Sequence, residues 1–521
     1  MTTAADRRPV VVSLTPLPLS ADSRTLKQVV SVHRLGFRSI VLEGQKSQLA
    51  RADVPIELIS SLETPKASPV EVRQIEVRQS AHETASSAPC PDCAPNPHRG
   101  AALLKLRDSR LGSFLRPLPG MRAIARVLVP GLDRLNSAIV SARKSGAIVA
   151  FTKIAFRGVI DAIIGTLKRV AGLAANQLPA WAFYHPTLFV RHLGTYLNRY
   201  VFSVLAVTPR ADIYYLHAFY QFPAVWILCL RYRAKMIYDA HDFYSQLEDD
   251  GSLSSFWKNW VLPFERFVER LCVRFADDVV TVNDGIADLM RKRFGRDPII
   301  LRNAHDPRLD RAPAGTIREA IGLPADAFLV VSIGNWKPGM AMAQMFDALS
   351  KLPRKVHLAF LGAGYPPLDE AINSRGIDGR VHVVPPVLPQ EVVPFIKSAD
   401  ASVVLYYGKS INYQNALPNR FFQSIAAKLP LVYPDLTEMR RLADRYQVGL
   451  LADPQHPDQI EAALRVLIDN PEQRIALRKN LDLASGELCW EREERVLRAL
   501  LHQHLGIADE SCSETTKAAV H

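Results

Sequence analysis

No run of 18 apolar residues free of charge occurs in the chain, which argues against a membrane-spanning helix. The first residues, Met1 to Pro9, are polar and carry Asp6, Arg7 and Arg8; they lack the apolar stretch and cleavage pattern of a secretory signal. The six cysteines are Cys90, Cys93, Cys229, Cys272, Cys489 and Cys512. Cys90 and Cys93 have metal-like spacing, but no second pair or Cys/His cluster completes a site, and their Pro/Ser/Ala-rich setting reads as a loop. A cytoplasmic location, with reduced thiols, is the resulting expectation. Zinc fingers, RNA-binding signatures and aromatic-basic ladders are also missing, so no nucleic-acid partner is expected.

What is present is enough apolar material, 48% of residues, for two substantial cores. The formal charge of +12 is concentrated: between Arg99 and Tyr200 lie 16 Lys or Arg against Asp108, Asp133 and Asp161. Within that stretch Lys153, Arg157, Lys168 and Arg169 form a basic stripe on a helix whose apolar side includes Ile154, Ile160, Ile164 and Leu167. Such a helix either packs on the core with its charges wet or lies on an anionic membrane surface; the sequence leaves both open.

Strand and helix patterns alternate in two series. The first has strands at Val10–Leu14, Ser39–Leu42, Ile213–Leu216, Lys235–Tyr238 and Asp278–Val282, an edge at Leu301–Asp306, and helices near Ser23–Leu35 and Pro223–Arg231. The second has strands at Phe328–Ile333, Val356–Leu361, Val381–Val384, Ala401–Tyr406, Leu431–Tyr433 and Gly449–Leu451, with helices such as Met340–Leu352 and Asn419–Ala427. The expected fold class is α/β, with two Rossmann-like domains facing across a cleft. Residues 1–305 form the first domain, interrupted by a basic, irregular insertion at about 55–190. A linker follows at 306–316, the second domain spans 317–475, helices at 476–505 return towards the first domain, and 506–521 is a flexible tail.

Ligands of parallel sheets sit beyond the C-terminal strand ends, which singles out three loops of the second domain. Gly334-Asn335-Trp-Lys337-Pro-Gly339 follows a strand and precedes a helix; its glycines admit a bulky anion and Lys337 can neutralise a diphosphate. It is no Walker loop, having neither GKS nor GKT. Gly362-Ala-Gly364 is a second turn at the same edge. In Asn412–Arg420, Pro418 and Asn419 open a helix where amides and the Arg420 guanidinium can meet an anion. Gln423 is either within reach of sugar hydroxyls or an exposed helical glutamine. In the first domain, a strand delivers Asp239, Ala240, His241 and Asp242 into a loop, where an imidazole can orient a hydroxyl. These residues do not make a convincing metal set, and no metal is expected.

Several of these segments together resemble the family-four-like retaining glycosyltransferases of the GT-B architecture, especially bacterial enzymes of cell-surface polysaccharide synthesis. Asp22-Ser-Arg-Thr-Leu26 resembles the opening loop and helix. Tyr238-Asp-Ala-His-Asp242 resembles a Tyr-Asp-x-His-Glu motif. Ala416–Pro430 resembles the Pro-Asn-Lys-hydrophobic-Phe-Glu…Gly-x-Pro segment, and Trp490-Glu491 the start of the last helix. The resemblance covers about 10–50 and 200–500. It implies a nucleotide-diphosphate sugar as donor substrate and no tightly bound cofactor. Lys337 and Arg420 would hold the diphosphate, Gln423 the ribose, and Asn415 would take the place of the other glutamate of a paired motif. His241 would face the transferred sugar. With His241, Lys337 and Arg420 as catalytic residues, the donor contacts are Gly334, Asn335, Lys337, Gly364, Asn415, Asn419, Arg420 and Gln423. The acceptor would be a glycan or lipid-linked molecule, with the protein peripheral on the inner face of the cell membrane.

This chain departs from the pattern in three places: Gln423 replaces a carboxylate, Asp242 shortens a glutamate, and Lys428 stands where glycine is usual. A catalytically weak binding or assembly partner, and a phosphosugar-processing enzyme, therefore stand as alternatives. A cleft closing over both His241 and Arg420 favours transfer; a donor pocket filled by Lys428 favours loss of activity.

Overall fold

A computed structural model describes residues 8–19, 22–44, 57–60, 181–244, 253–407 and 410–507. The chain divides into two compact units, 1–62 with 191–521, and 63–190. The basic helix expected around Lys153 to Arg169, the Cys90–Cys93 pair and the tail beyond 507 lie outside the described residues. Among those described, no helix is long and apolar enough to cross a membrane.

Both sheets belong to the first unit and are parallel throughout. The first contains β1 (Val10–Thr15), β2 (Arg38–Glu43), β3 (Glu57–Ser60), β4 (Ile213–Leu216), β5 (Lys235–Ala240), β6 (Asp278–Thr281) and β7 (Ile299–Ile300), in the order β3-β2-β1-β4-β5-β6-β7. β1 pairs with β2 on one side (Val11 opposite Ser39) and with β4 on the other (Val11 opposite Ile213). The order reverses there, which opens a crevice beyond the ends of β1 and β4. The run Val10-Val-Val-Ser-Leu is fully buried because helices cover both faces: Val10, Val12 and Leu14 enter one core, Val11 the other.

Helix α1 (Ser23–Arg34) starts where the Asp22 carboxylate accepts the Thr25 N–H, and the chain leaves it through Gly36 at φ 87°, a left-handed conformation suited to glycine. Helices α2 (Phe222–Tyr232), α3 (Leu262–Phe275) and α4 (Asp284–Phe294) complete the part of this domain that frames the site.

The second sheet contains β8 (Phe328–Ile333), β9 (Val356–Leu361), β10 (Val381–Val384), β11 (Ala401–Val403), β12 (Leu431–Tyr433) and β13 (Gly449–Leu451), in the order β10-β9-β8-β11-β12-β13. Its crevice lies between β8 and β11, above which sits α5 (Asn419–Ala426). Beyond this sheet, α6 (Pro471–Glu487) leads to α7 (Trp490–Leu505). Helix α7 packs on the first sheet: Trp490, Leu497 and Leu501 share a core with Val11, Val32 and Phe37, and the indole N–H donates to Ser31 Oγ at 2.7 Å. Truncating a buried tryptophan of this kind costs about 3–5 kcal/mol.

Four expectations need correction. Residues 57–60 pair with β2 and belong to the sheet, although the insertion was expected to start near 55. The edge strand is Ile299–Ile300; 301–306 instead carries carbonyls that receive the Arg24 and Lys27 side chains. β11 ends at Val403, with Tyr406 making only an isolated antiparallel bridge to Met340. Asp239 is in β5, fully buried, and not in the following loop.

Candidate active site

On the second-domain side, β8 leads into Gly334, whose φ is 106°. The Gly334 N–H donates to the Leu361 carbonyl at 2.8 Å and its own carbonyl accepts the Tyr365 hydroxyl at 2.6 Å. A Cβ at Gly362 would lie 2.5 Å from the Gly334 carbonyl oxygen, so the two turns close on each other only because Gly362 lacks a side chain. Asn335 Oδ1 accepts the Ala363 N–H at 2.9 Å and fastens the two loops together.

Arg420 lies in the first turn of α5, with its Nη2 3.1 Å from where a Gly334 Cβ would be. Burial lowers the pKa of its guanidinium, with Tyr406, Tyr365 and Tyr413 around it partly opposing. Its side chain has no acid or hydrogen-bond acceptor among the described residues. A crowded cation without a counter-charge carries a desolvation cost that a bound anion relieves.

On the first-domain side, His241 follows β5 directly and is 23% exposed. Its Nε2 is 3.2 Å from Nδ1 of His217, whose Nε2 is 3.2 Å from Gln28 Oε1. Beneath them Asp239 takes two bonds from Arg24, at 2.7 and 3.0 Å, and Arg24 also donates to the Leu301 carbonyl at 2.7 Å. Burial, the largest influence, pushes the His217 imidazole down to about 3; Asp239 opposes and His241 adds to the depression. The ring is therefore neutral at ordinary pH. Asp242 is reached by solvent, yet the protein crowded around it raises its carboxyl above the usual range, with His241 and Lys337 opposing.

The two sides meet around a cavity of about 530 Å³, lined by Asp22, His241, Asp242, Lys337, Tyr406 and Arg420 among others. That is the volume of a small-molecule site. Asn415 and Asn419 also line it, whereas Gly334, Asn335 and Gly364 do not. Asn419 spans the domains: Nδ2 donates to Ser23 Oγ at 3.0 Å and Oδ1 accepts from Asn303. Asn415 gives its side-chain N–H to the Ile411 carbonyl at 2.8 Å. Gln423 lines a neighbouring cavity of about 50 Å³ with Ser23, Lys27, Gln390 and Phe422, and Asn419 stands between the two.

Lys428 lies away from both cavities. It adopts φ 60°, the left-handed conformation that favours glycine, and its ammonium pairs with Asp482 on α6. The donor pocket is not filled by it.

Sequence reasoning did not single out His217, Arg24 or Asn412 as site residues. His217 carried the signal that identified His241, a polar residue immediately after a buried strand. His217, Asp239 and His241 place ligand atoms within 4.8 Å of one another. Arg24, however, occupies both Asp239 oxygens and adds a positive charge, so this set suits protons better than a cation.

Two family descriptions match the chain: "Glycosyl transferase 4-like domain" over residues 165–302, and "Glycosyl transferases group 1" over 327–470. Alpha-D-kanosaminyltransferase of Streptomyces kanamyceticus is 23% identical over 237 residues, 42% of this chain and 58% of that protein. The match thus spans less than two thirds of that relative. D-inositol 3-phosphate glycosyltransferase of Corynebacterium efficiens is 23% identical over 337 residues, 59% of this chain and 76% of that protein. Among solved structures, Anabaena Alr3699/HepE in complex with UDP superposes with a TM-score of 0.53 and 12% identity, covering 95% of this chain and 100% of that one, a likeness of fold. With two parallel Rossmann-like sheets, a cavity between them and a matching segment in each domain, the chain is a GT-B-fold protein related to the glycosyltransferase 4-like family.

Proposed function

We propose that this protein transfers a glycosyl group from a nucleotide-diphosphate sugar to a glycan or lipid-linked acceptor, with retention at the anomeric carbon, in cell-surface polysaccharide synthesis. The observation that carries the reading is the Arg420 guanidinium, without a counter-ion among the described residues and facing the same cavity as Lys337, His241 and Asp242. The diphosphate would lie against Arg420 and Lys337, with the nucleoside towards Gln423 and the sugar towards His241. As the glycosidic bond breaks, charge grows on the departing diphosphate oxygen, so these cations stabilise the transition state more than the ground state. Retention follows when the acceptor hydroxyl attacks from the face the diphosphate leaves and passes its proton to the leaving oxygen. No protein nucleophile is then required, and the protein's contribution is positioning and charge. Gln423 still donates and accepts hydrogen bonds to ribose hydroxyls, so the amide keeps a nucleoside contact.

The test is turnover with uridine, guanosine and adenosine diphosphate sugars, with the anomeric configuration of the product read by NMR. Transfer with retained configuration is expected. Binding of nucleotide without turnover of any donor would replace this reading by the binding-partner alternative.

A membrane location for the acceptor is part of the proposal. Trp226, Ile227 and Leu230 on α2 and Phe275 at the end of α3 are exposed, and the Trp226 and Phe275 rings are 5.4 Å apart. Arg231, Arg233 and Arg274, close to them in sequence, are exposed too. Apolar side chains rimmed by arginines suit an anionic lipid surface.

A further inference from the structure

We infer that His217 is a positioning residue that fixes the tautomer of His241, leaving His241 Nδ1 as a hydrogen-bond acceptor for a hydroxyl of the bound sugar. The inference rests on the proposed sugar contact of His241 and extends it to a residue that does not line the cavity.

His217 is 2% exposed and follows β4 directly. The charged and titratable groups around it are Asp22 and Arg24 at the start of α1, Tyr215 on β4, Asp239 on β5, and His241. Asp239 is held by Arg24 and by the Tyr215 hydroxyl, which donates at 3.3 Å. It lies 3.7 Å from His217 Nδ1 and 3.8 Å from His241 Nε2, too far to hydrogen-bond either ring but near enough to favour a proton between them.

A neutral imidazole has one donor nitrogen and one acceptor nitrogen. Gln28 Oε1 faces His217 Nε2 and also accepts the Ser13 hydroxyl at 3.1 Å. With the carbonyl oxygen on this side, Gln28 Nε2 is left buried without a partner among the described residues, and the flipped amide would reverse both roles of the His217 ring. In this orientation Nε2 of His217 carries the proton and Nδ1 presents its lone pair. The partner at 3.2 Å, Nε2 of His241, must then be the donor. His241 is consequently the Nε2–H tautomer, and its Nδ1 accepts. A single proton order runs from His241 through His217 to Gln28, and the burial that keeps His217 neutral keeps the order intact at working pH.

The order has a consequence for recognition. A histidine presenting an acceptor binds a sugar hydroxyl through the hydroxyl's own proton, and it loses that ability when protonated. Sugars lacking the hydroxyl, or carrying it as a methyl ether, have no proton to give.

The experiment combines histidine-selective ¹⁵N NMR of the full-length protein with kinetics on His217→Phe and His217→Asn. In the wild type at pH 7.5 the His241 ring nitrogens should report Nε2–H. In His217→Phe they should report mixed tautomers, and turnover of the donor used by the wild type should fall about ten- to hundredfold, the scale of losing a partner that orients a histidine. UDP affinity, measured by calorimetry, should stay within about twofold, since the diphosphate contacts lie on the other domain. His217→Asn offers an amide where Nδ1 was and should recover much of the lost turnover. A wild-type His241 protonated on Nδ1, or a tautomer unchanged in His217→Phe, overturns the inference. Absence of turnover by the wild type with every donor would instead remove the transferase reading, and the NMR result would still decide the proton order.

Discussion

Asn412 and Phe243 hydrogen-bond to each other twice across the cleft: the Asn412 carbonyl accepts the Phe243 N–H at 2.9 Å, and its amide donates to the Phe243 carbonyl at 3.2 Å. Phe243 is two residues beyond His241, and Asn412 lies eight before Arg420. One side chain thus ties the loop proposed to face the sugar to the segment proposed to hold the diphosphate. Asn412→Ala should leave UDP affinity nearly unchanged while lowering kcat/KM about tenfold, the scale of one or two net hydrogen bonds. Equal kcat/KM in variant and wild type would show that the two loops need no such tie.

Arg420 makes a prediction whose stability sign is informative. Because the guanidinium has no described counter-ion, Arg420→Ala removes a desolvated charge and should leave Tm unchanged or raise it. Turnover should fall on the order of 10²–10³-fold, as when a single transition-state donor is lost. The stabilisation by added UDP should vanish with it. Arg420→Lys should restore only part, since a point charge lacks the planar fork. A large fall in Tm for Arg420→Ala would mark the side chain as a structural element.

Much of the fold was legible because parallel strands buried on both faces are written as short apolar runs. Ile213–Leu216, Phe328–Ile333 and Val381–Val384 have the expected bounds. The same rule hid Asp239: a charged residue looks like the end of a strand, and Arg24, 215 residues earlier, pairs with it and allows it to remain inside. Long-range partnership of that kind leaves no local trace. His241, Lys337 and Arg420, which line the cavity, stand at strand ends and a helix entrance, places with local signatures in the sequence. Asn335 and Asn419 have the right place in sequence, but hydrogen bonds to a neighbouring loop and across the cleft occupy their amides. Lys428 stands where glycine is usual; that position calls for a left-handed backbone, and the side chain leaves towards Asp482.

The buried imidazole of His217 sets a pH window for stability. Its folded pKa, about 3, is below the ordinary value of about 6.5, so between these limits the unfolded chain binds a proton that the folded chain does not. Stability contributed at neutral pH is therefore lost as pH falls from about 6.5 towards 3, at up to about 1.4 kcal/mol per pH unit. Asp22 and Asp239, both held below the usual carboxylate range, add to the loss only below about 4. Denaturant unfolding at pH 7, 6, 5 and 4.5 should show a shallower acid slope for His217→Phe than for wild type. Parallel slopes over this range would mean that His217 takes up a proton in the folded state.

The exposed face of α2 and α3 separates a lipid contact from a merely soluble apolar patch. Trp226 and Leu230 are one turn apart on α2, and Leu230 is 66% exposed. Together with Phe275 they would enter the headgroup region while Arg231, Arg233 and Arg274 meet anionic lipid. The two contributions have different signatures. Charge attraction weakens within the Debye length as salt rises, whereas buried apolar area does not. The triple variant Trp226→Ser, Leu230→Ser, Phe275→Ser should therefore lower binding to phosphatidylglycerol-containing vesicles at both 50 and 300 mM salt, by roughly 1.5–3 kcal/mol for each large side chain withdrawn. Neutralising the three arginines should lower it mainly at 50 mM. Neutralising Lys153, Arg157, Lys168 and Arg169 of the basic insertion tests the second candidate surface in the same assay. Trp226 emission should shift to the blue on binding in the wild type, and vesicles of phosphatidylcholine alone should bind far less. If both α2–α3 variants bind as the wild type does at both salt concentrations, this face has no part in membrane attachment; if the insertion variant does too, the lipid-linked acceptor loses its support and a soluble glycan takes its place.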